Sequence, residues 1–173
     1  PEASQQRDLT GAPAVPTTTR ALPVLAGAGQ VTDRPDDPGL GLEPLALMET
    51  AARRAVDDAG GGAALLAAVD TVAVVTNVFH DYGDTAGLLA ERLAITPPHR
   101  LVTTWGGNTP QSLLNHLCDQ IAAGRSQAAL LVGGEAFHTM RALGKAGHQV
   151  DWTAPRETDA PRFGDLRQGT SEL

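Results

Sequence analysis

Trp105-Gly106-Gly107-Asn108-Thr109-Pro110-Gln111-Ser112 joins two segments of different periodicity. Before it, Arg100-Leu101-Val102-Thr103-Thr104 is short and partly β-branched, which reads as a strand. After it, apolar residues recur at Leu113, Leu114, Leu117, Cys118 and Ile121, the spacing of one helical face. Pro110 suits the first helical position, where its missing N–H removes no hydrogen bond, and this makes Thr109 the expected N-cap. A strand therefore feeds a double-glycine turn that opens a helix. Glycine lets the backbone turn tightly and be approached closely. The first-turn N–H groups of a helix lack intrahelical partners, so they face whatever sits in the turn. Gly106, Gly107, Asn108 and Thr109 are thus candidates for holding a carbonyl oxygen or an anion.

Working outward, the same alternation repeats. Thr71-Val72-Ala73-Val74-Val75-Thr76 is a continuous apolar, β-branched run, as expected of a parallel strand covered on both faces, and Leu65 to Val69 lead into it. Residues 77–83 form a loop at its C-terminal end, the edge where open α/β sheets bind ligands. Asp84 or Thr85 caps a helix carrying Leu88, Leu89 and Leu93. Beyond the central helix, which Gly124 stops, Ala128-Ala129-Leu130-Leu131-Val132 is another buried strand ending in Gly133-Gly134-Glu135. Upstream, residues 43–59 form a helix with Leu45, Met48, Ala52 and Val56 on one face, ended by three glycines. Before it, Leu22-Pro23-Val24-Leu25-Ala26-Gly27-Ala28-Gly29 reads as a buried strand, followed by a polar loop over 33–39. Gly27-Ala28-Gly29 is not a dinucleotide fingerprint, because Thr32 occupies the third glycine position and no helix opens there. Strands alternating with helices predict an α/β fold with a mainly parallel sheet covered by helices.

Composition narrows the function classes. Apolar residues make up 42% of the 173 but aromatics only 3%, so Ala, Leu, Val and Gly must build the core. A net charge of −7 argues against broad nucleic-acid binding. A single cysteine excludes an intrachain disulfide and a multi-cysteine metal site. No run is long enough to span a membrane and no basic leader precedes an apolar segment, which predicts a cytoplasmic protein. The absence of an initial Met points to processing or to a fragment.

Residues 1–20, rich in Pro and Thr, are expected to be a disordered tail, and 21–134 the α/β domain. Residues 135–147 are a short basic helix or a loop. From 149 onward the chain is rich in Pro, Asp and Arg, with Trp152 and Phe163 as isolated apolar anchors and no further strand.

The order of these pieces resembles the N-terminal half of the thiolase superfamily, in particular the thiolase-like, sterol-carrier-protein-type branch often named acetyl-CoA acetyltransferase. The matching pieces are Pro23 to Gly29, the helix from Glu43, Val75-Thr76-Asn77-Val78, Gly106-Gly107-Asn108-Thr109-Pro110 and Leu131-Val132-Gly133-Gly134-Glu135-Ala136. They span about residues 22–145. The resemblance implies the N-terminal half of a thiolase-like fold, incomplete at its C-terminus, with residues 135–173 the truncated start of a loop (lid) domain over CoA. It implies a central helix whose N-terminus holds the nucleophilic cysteine and a strand, residues 100–104, that pairs across a dimer. Two departures follow. The nucleophile position falls on Asn108, or on Gly107 if the register slips by one, and neither forms a thioester. The second half, with its His and Cys motifs, is absent, which implies a fragment or one chain of a split assembly.

The remaining candidates carry alternatives. Asn108 either donates its amide to a thioester carbonyl or is simply a turn residue. His80 and His138 are possible acid–base groups, as is Tyr82, or else exposed loop residues. Cys118, on the stripe with Leu114, Leu117 and Ile121, reads as a structural thiol. His99 and His116 read as surface residues, and no metal site is expected. No cofactor is implied beyond the CoA thioester as substrate. Two functions stay open: an acyl-CoA acyltransferase or carbon–carbon lyase of lipid or sterol metabolism, and a non-catalytic CoA-thioester-binding subunit. In either case the expected partner is a second copy or a chain bearing the second half.

Overall fold

The computed structural model describes residues 21–164. The tail expected at 1–20 and the end of the expected loop domain, 165–173, lie outside the described residues. The centre is a three-stranded parallel sheet of β1 (Thr71–Val74), β2 (His99–Val102) and β3 (Ala129–Val132), in the order β2-β1-β3. Val74 sits opposite Val102 on one side and Val132 on the other, so the three C-terminal ends are level. All four β1 residues are buried, as the continuous apolar run predicts. Alternation along the strands divides the core. Val72, Val74, Leu130 and Val132 pack against Leu45, Met48 and Ala52 of α1 (Pro44–Asp58) and against Ala86 and Leu89 of α3 (Thr85–Arg92). Ala73 faces the other way, onto Leu113 and Leu117 of α4 (Thr109–Ala122). An α/β fold with helices on both faces of a parallel sheet results, as expected.

Several local expectations are corrected. Residues 22–29 are not a strand. They run extended over α1, with Leu22, Val24 and Leu25 at least 80% exposed. A Cβ added at Gly27 or Gly29 would collide with the Ala55 or Ala51 carbonyl oxygen, so the two glycines are what permits this packing. The lead-in to β1 is helix α2 (Gly62–Ala68), whose Ala and Leu residues favour that state. The 33–39 loop runs into a short 3-10 helix (Pro38–Leu40), capped by the Asp37 carboxylate on the Gly39 N–H at 2.8 Å. Asp84, rather than Thr85, caps α3, accepting from the Gly87 N–H at 2.9 Å. Residues 137–145 form helix α5 (Phe137–Lys145), which settles the helix-or-loop alternative. As expected, no strand follows it among the described residues; two isolated bridges, Gly83 with Arg156 and Thr103 with Phe163, tie the last segment to the domain.

Candidate functional site

Because the strands are parallel and level, the loops after β1, β2 and β3 emerge on one edge. With strands about 4.8 Å apart, the outer two loops start about 10 Å from each other. The loop after β1 carries Asn77, His80, Asp81 and Tyr82. The loop after β2 carries the Gly106–Gly107 turn. The segment after β3 carries Glu135 and His138. All the site residues expected from the sequence therefore lie on the sheet's C-terminal side, although they do not converge on one cavity.

The turn is built differently from the expectation. Asn108, not Thr109, is the N-cap of α4, and its side chain makes no capping bond. Thr109 is buried and is the first helical residue, which shifts Pro110 to the second. The Thr109 N–H and hydroxyl both donate to the Gly106 carbonyl, at 3.1 and 2.7 Å, and close the turn internally. With Thr109 engaged and Pro110 lacking an N–H, the free donors of the cradle are the N–H groups of Gly107, Asn108 and Gln111, which have no partner among the described residues. Gly106, Gly107 and Asn108 are exposed, and so is the Trp105 ring beside them. Neither of the two cavities described below reaches the turn.

The β1 loop is far more ordered than a bare loop. Tyr82, read as a possible acid–base group or else an exposed loop residue, is fully buried. Its hydroxyl accepts the Leu45 N–H at 3.3 Å and donates to Glu43 Oε2 at 3.1 Å. Burial and the neighbouring Glu43 carboxylate push this phenol far above its usual range, so it holds its proton. His80 is half-buried; its Nε2 lies 3.0 Å from the Thr153 carbonyl, and its ring meets Tyr82 and Trp152 edge-on. Asp81 binds Arg162 at 2.8 Å. Partial burial raises the Asp81 carboxyl, but Arg162 and the Gly83 N–H outweigh that and hold it below the ordinary range.

Glu43 is the hub that sequence reasoning missed. Its carboxylate receives Tyr82, the Thr153 N–H and hydroxyl (both 2.8 Å) and the Arg92 guanidinium. Burial raises its pKa, yet the Thr153 bonds and Arg92 outweigh this and leave it lowered. The one sequence signal was an acidic residue just ahead of a Pro-initiated helix, but its partners lie 39 to 110 positions away. Asn77 was also missed. It is buried at the end of β1 and its amide donates to the Gly134 carbonyl, which ties the β1 and β3 loops together.

Two cavities flank this edge. One, of about 170 Å³, lies between Gly83, Arg100, Val102 and the segment carrying Thr158 and Arg162. The other, of about 400 Å³, brings His138 together with Arg34, Arg141, Asp33 and Glu135. His80 and His138 thus belong to different surroundings. Cys118 is partly buried on α4, three turns from the expected nucleophile position. His99 is exposed, as expected, whereas His116 is half-buried beneath the Phe163 ring, 4.8 Å between centroids. Among the described residues no group of three or more His, Cys, Asp or Glu is placed to hold a metal ion, and no helix is long and apolar enough to cross a membrane.

No protein-family model and no curated protein matches the chain. Among solved structures, its fold is similar to that of a monomeric SCP2-thiolase-like protein type 1 from Mycobacterium smegmatis. The two are 29% identical with a TM-score of 0.52, over 62% of this chain and 22% of that one. The described domain is a fragment of a thiolase-like α/β fold.

Proposed function

We propose that this chain forms the N-terminal part of a thiolase-like protein acting on acyl-CoA thioesters in lipid or sterol metabolism. The observation that carries the reading is the shared fold at 29% identity with an SCP2-thiolase-like protein. The chain covers only 22% of that protein, so the activity belongs to a larger assembly, either a longer chain or a partner bearing the second half. In this reading the protein is cytoplasmic and needs no cofactor beyond its CoA-thioester substrate. Asn108, or Gly107, stands where the nucleophilic cysteine of such proteins would stand. The Gly107 and Asn108 N–H groups, unpaired among the described residues, and the Asn108 amide polarise the thioester carbonyl. Acyl transfer then borrows a nucleophile from elsewhere, or the reaction is a carbon–carbon cleavage that needs none.

A specific observation favours the non-catalytic alternative, a CoA-thioester-binding subunit. Among the described residues, neither histidine offered as an acid–base group is seated at the turn: His80 is engaged by Thr153, and His138 lies in the separate 400 Å³ cavity.

Calorimetric titration with acetyl-CoA tests the site. Asn108→Asp sets a negative charge against the partial charge of the carbonyl oxygen, which weakens binding roughly twofold for a pair about 4 Å apart in water. Unchanged affinity removes Asn108 from the site. Release of free CoA thiol during the same incubation supports the enzyme, and binding without release supports the subunit. Cys118 remains unacylated in either case; a labelled acetyl adduct there, seen by mass spectrometry, would move the reacting centre away from the turn.

A further inference from the structure

Residues 152–163 cross the C-terminal ends of β1 and β2, and none of them is fully buried. Their attachment is polar and comes at three points. At the first, Thr153 binds the Glu43 carboxylate through its N–H and hydroxyl, receives Arg92 at 2.9 Å, and offers its carbonyl to His80. At the second, the Arg156 N–H donates to the Tyr82 carbonyl at 2.8 Å while the Arg156 carbonyl accepts the Asp84 N–H at 3.1 Å. The Arg156 guanidinium adds a two-pronged pair with Glu91, both bonds 2.7 Å. Gly83 has φ +69°, and a Cβ there would fall on the Arg156 carbonyl, so this contact is backbone on backbone. At the third, Arg162 bridges the Thr76 hydroxyl and Asp81, while Phe163 exchanges backbone bonds with Val102 and Thr104, both 2.8 Å. Between these points, residues 157–161 are exposed. Trp152 and Phe163 are the half-buried apolar contacts, one at each end.

Each point rests on a carboxylate of the domain: Glu43, Glu91 and Asp81. Such a segment, held mainly by polar anchors, with no fully buried side chain and only Phe163 packed against the core, has a low local stability compared with β1. We propose that residues 152–163 are a detachable strap that opens as one unit while the sheet stays folded. Opening frees His80 and Asp81 from their strap partners and removes one wall of the 170 Å³ cavity, so the strap controls access to the β1 side of the edge. This inference stands on the strap's own contacts and is independent of the CoA reading.

Hydrogen exchange read by mass spectrometry on the full chain tests it. The reporters are the N–H groups of Thr153, Arg156 and Phe163, with the Val75 N–H, bonded to Val132, as the core control. In the wild type the strap amides exchange faster than Val75, and salt near 1 M, which screens the exposed pairs, speeds them further without touching Val75. Arg156→Gln, at the middle point, speeds exchange at both ends by about tenfold, as expected of one cooperative unit. Acceleration confined to the neighbours of residue 156 overturns the proposal, because the three contacts are then independent. Strap amides that track Val75 in every condition also overturn it, because the segment then leaves only when the domain unfolds.

Discussion

Tyr82 does the work of an N-cap from outside its helix. Glu43 precedes α1 but makes no capping bond with its own side chain. The Tyr82 hydroxyl takes that place, accepting the Leu45 N–H and passing its proton toward the Glu43 carboxylate. Phe fills the same volume without the oxygen. Tyr82→Phe therefore leaves a buried N–H unpaired, and unfolding by denaturant should show a loss of about 1–3 kcal/mol. A midpoint equal to that of the wild type would show that the hydroxyl does not cap α1. The sequence marked Tyr82 as a residue of interest through its position after a buried strand, but it did not reveal its burial. The partners that bury it come from α1 and from the segment near Thr153, and no local pattern encodes that meeting. Asp84 is the opposite case: its capping bond closes within three residues, so local reasoning had only to choose between neighbours. At the Gly106 turn the residue types were read correctly, and the N-cap was missed by one position. The Thr109 hydroxyl reaches back to the Gly106 carbonyl instead of forward into the helix.

Among the elements, β1, α1 and α3 were legible because each carries its own periodicity. The segment 22–29 departs from the strand expectation for the converse reason. Its apolar residues satisfy strand propensity, but a strand also needs a neighbour, and β-propensity measures fit to a surface more than backbone preference. What fixes the segment is instead its contact with α1. Gly27 and Gly29 lie against the Ala51, Ala55 and Ala59 turns of the helix, Ala28 donates to Asp58 at 2.9 Å, and Arg54 reaches the Gln30 carbonyl at 2.6 Å. Small residues on both sides allow that approach. Gly29→Val should lift the segment off α1, at a cost of about 1–3 kcal/mol for the overpacked contact. Exchange of the Ala28 N–H should then rise to the rate of an unprotected amide, with α1 itself intact. Retained protection of Ala28 would show that the close approach is not what holds the segment.

The whole molecule is unevenly covered. One face of the sheet carries α1 and α3, while the other is met by α4. Among the described residues β3 pairs with β1 alone, which leaves its outer edge without a strand partner there. Leu22, Val24 and Leu25 add an apolar strip at 83%, 80% and 86% exposure, and Leu114 on α4 is 42% exposed. Exposed apolar side chains together with an open sheet edge favour association. The similar SCP2-thiolase-like protein is described as monomeric, but the aligned part is only 22% of its chain, so its state does not set that of this one. The proposed reading, in which a second copy or a partner supplies what is missing, therefore predicts concentration-dependent self-association of the 173-residue chain. Sedimentation velocity should show a mass that rises with concentration. Replacing Val24 and Leu25 together by Lys should shift the distribution toward monomer, because two charges on the strip oppose its burial while leaving the core untouched. A compact monomer at every concentration would count against a missing partner. Association unchanged by the two lysines would place the contact elsewhere, on the β3 edge or on α4.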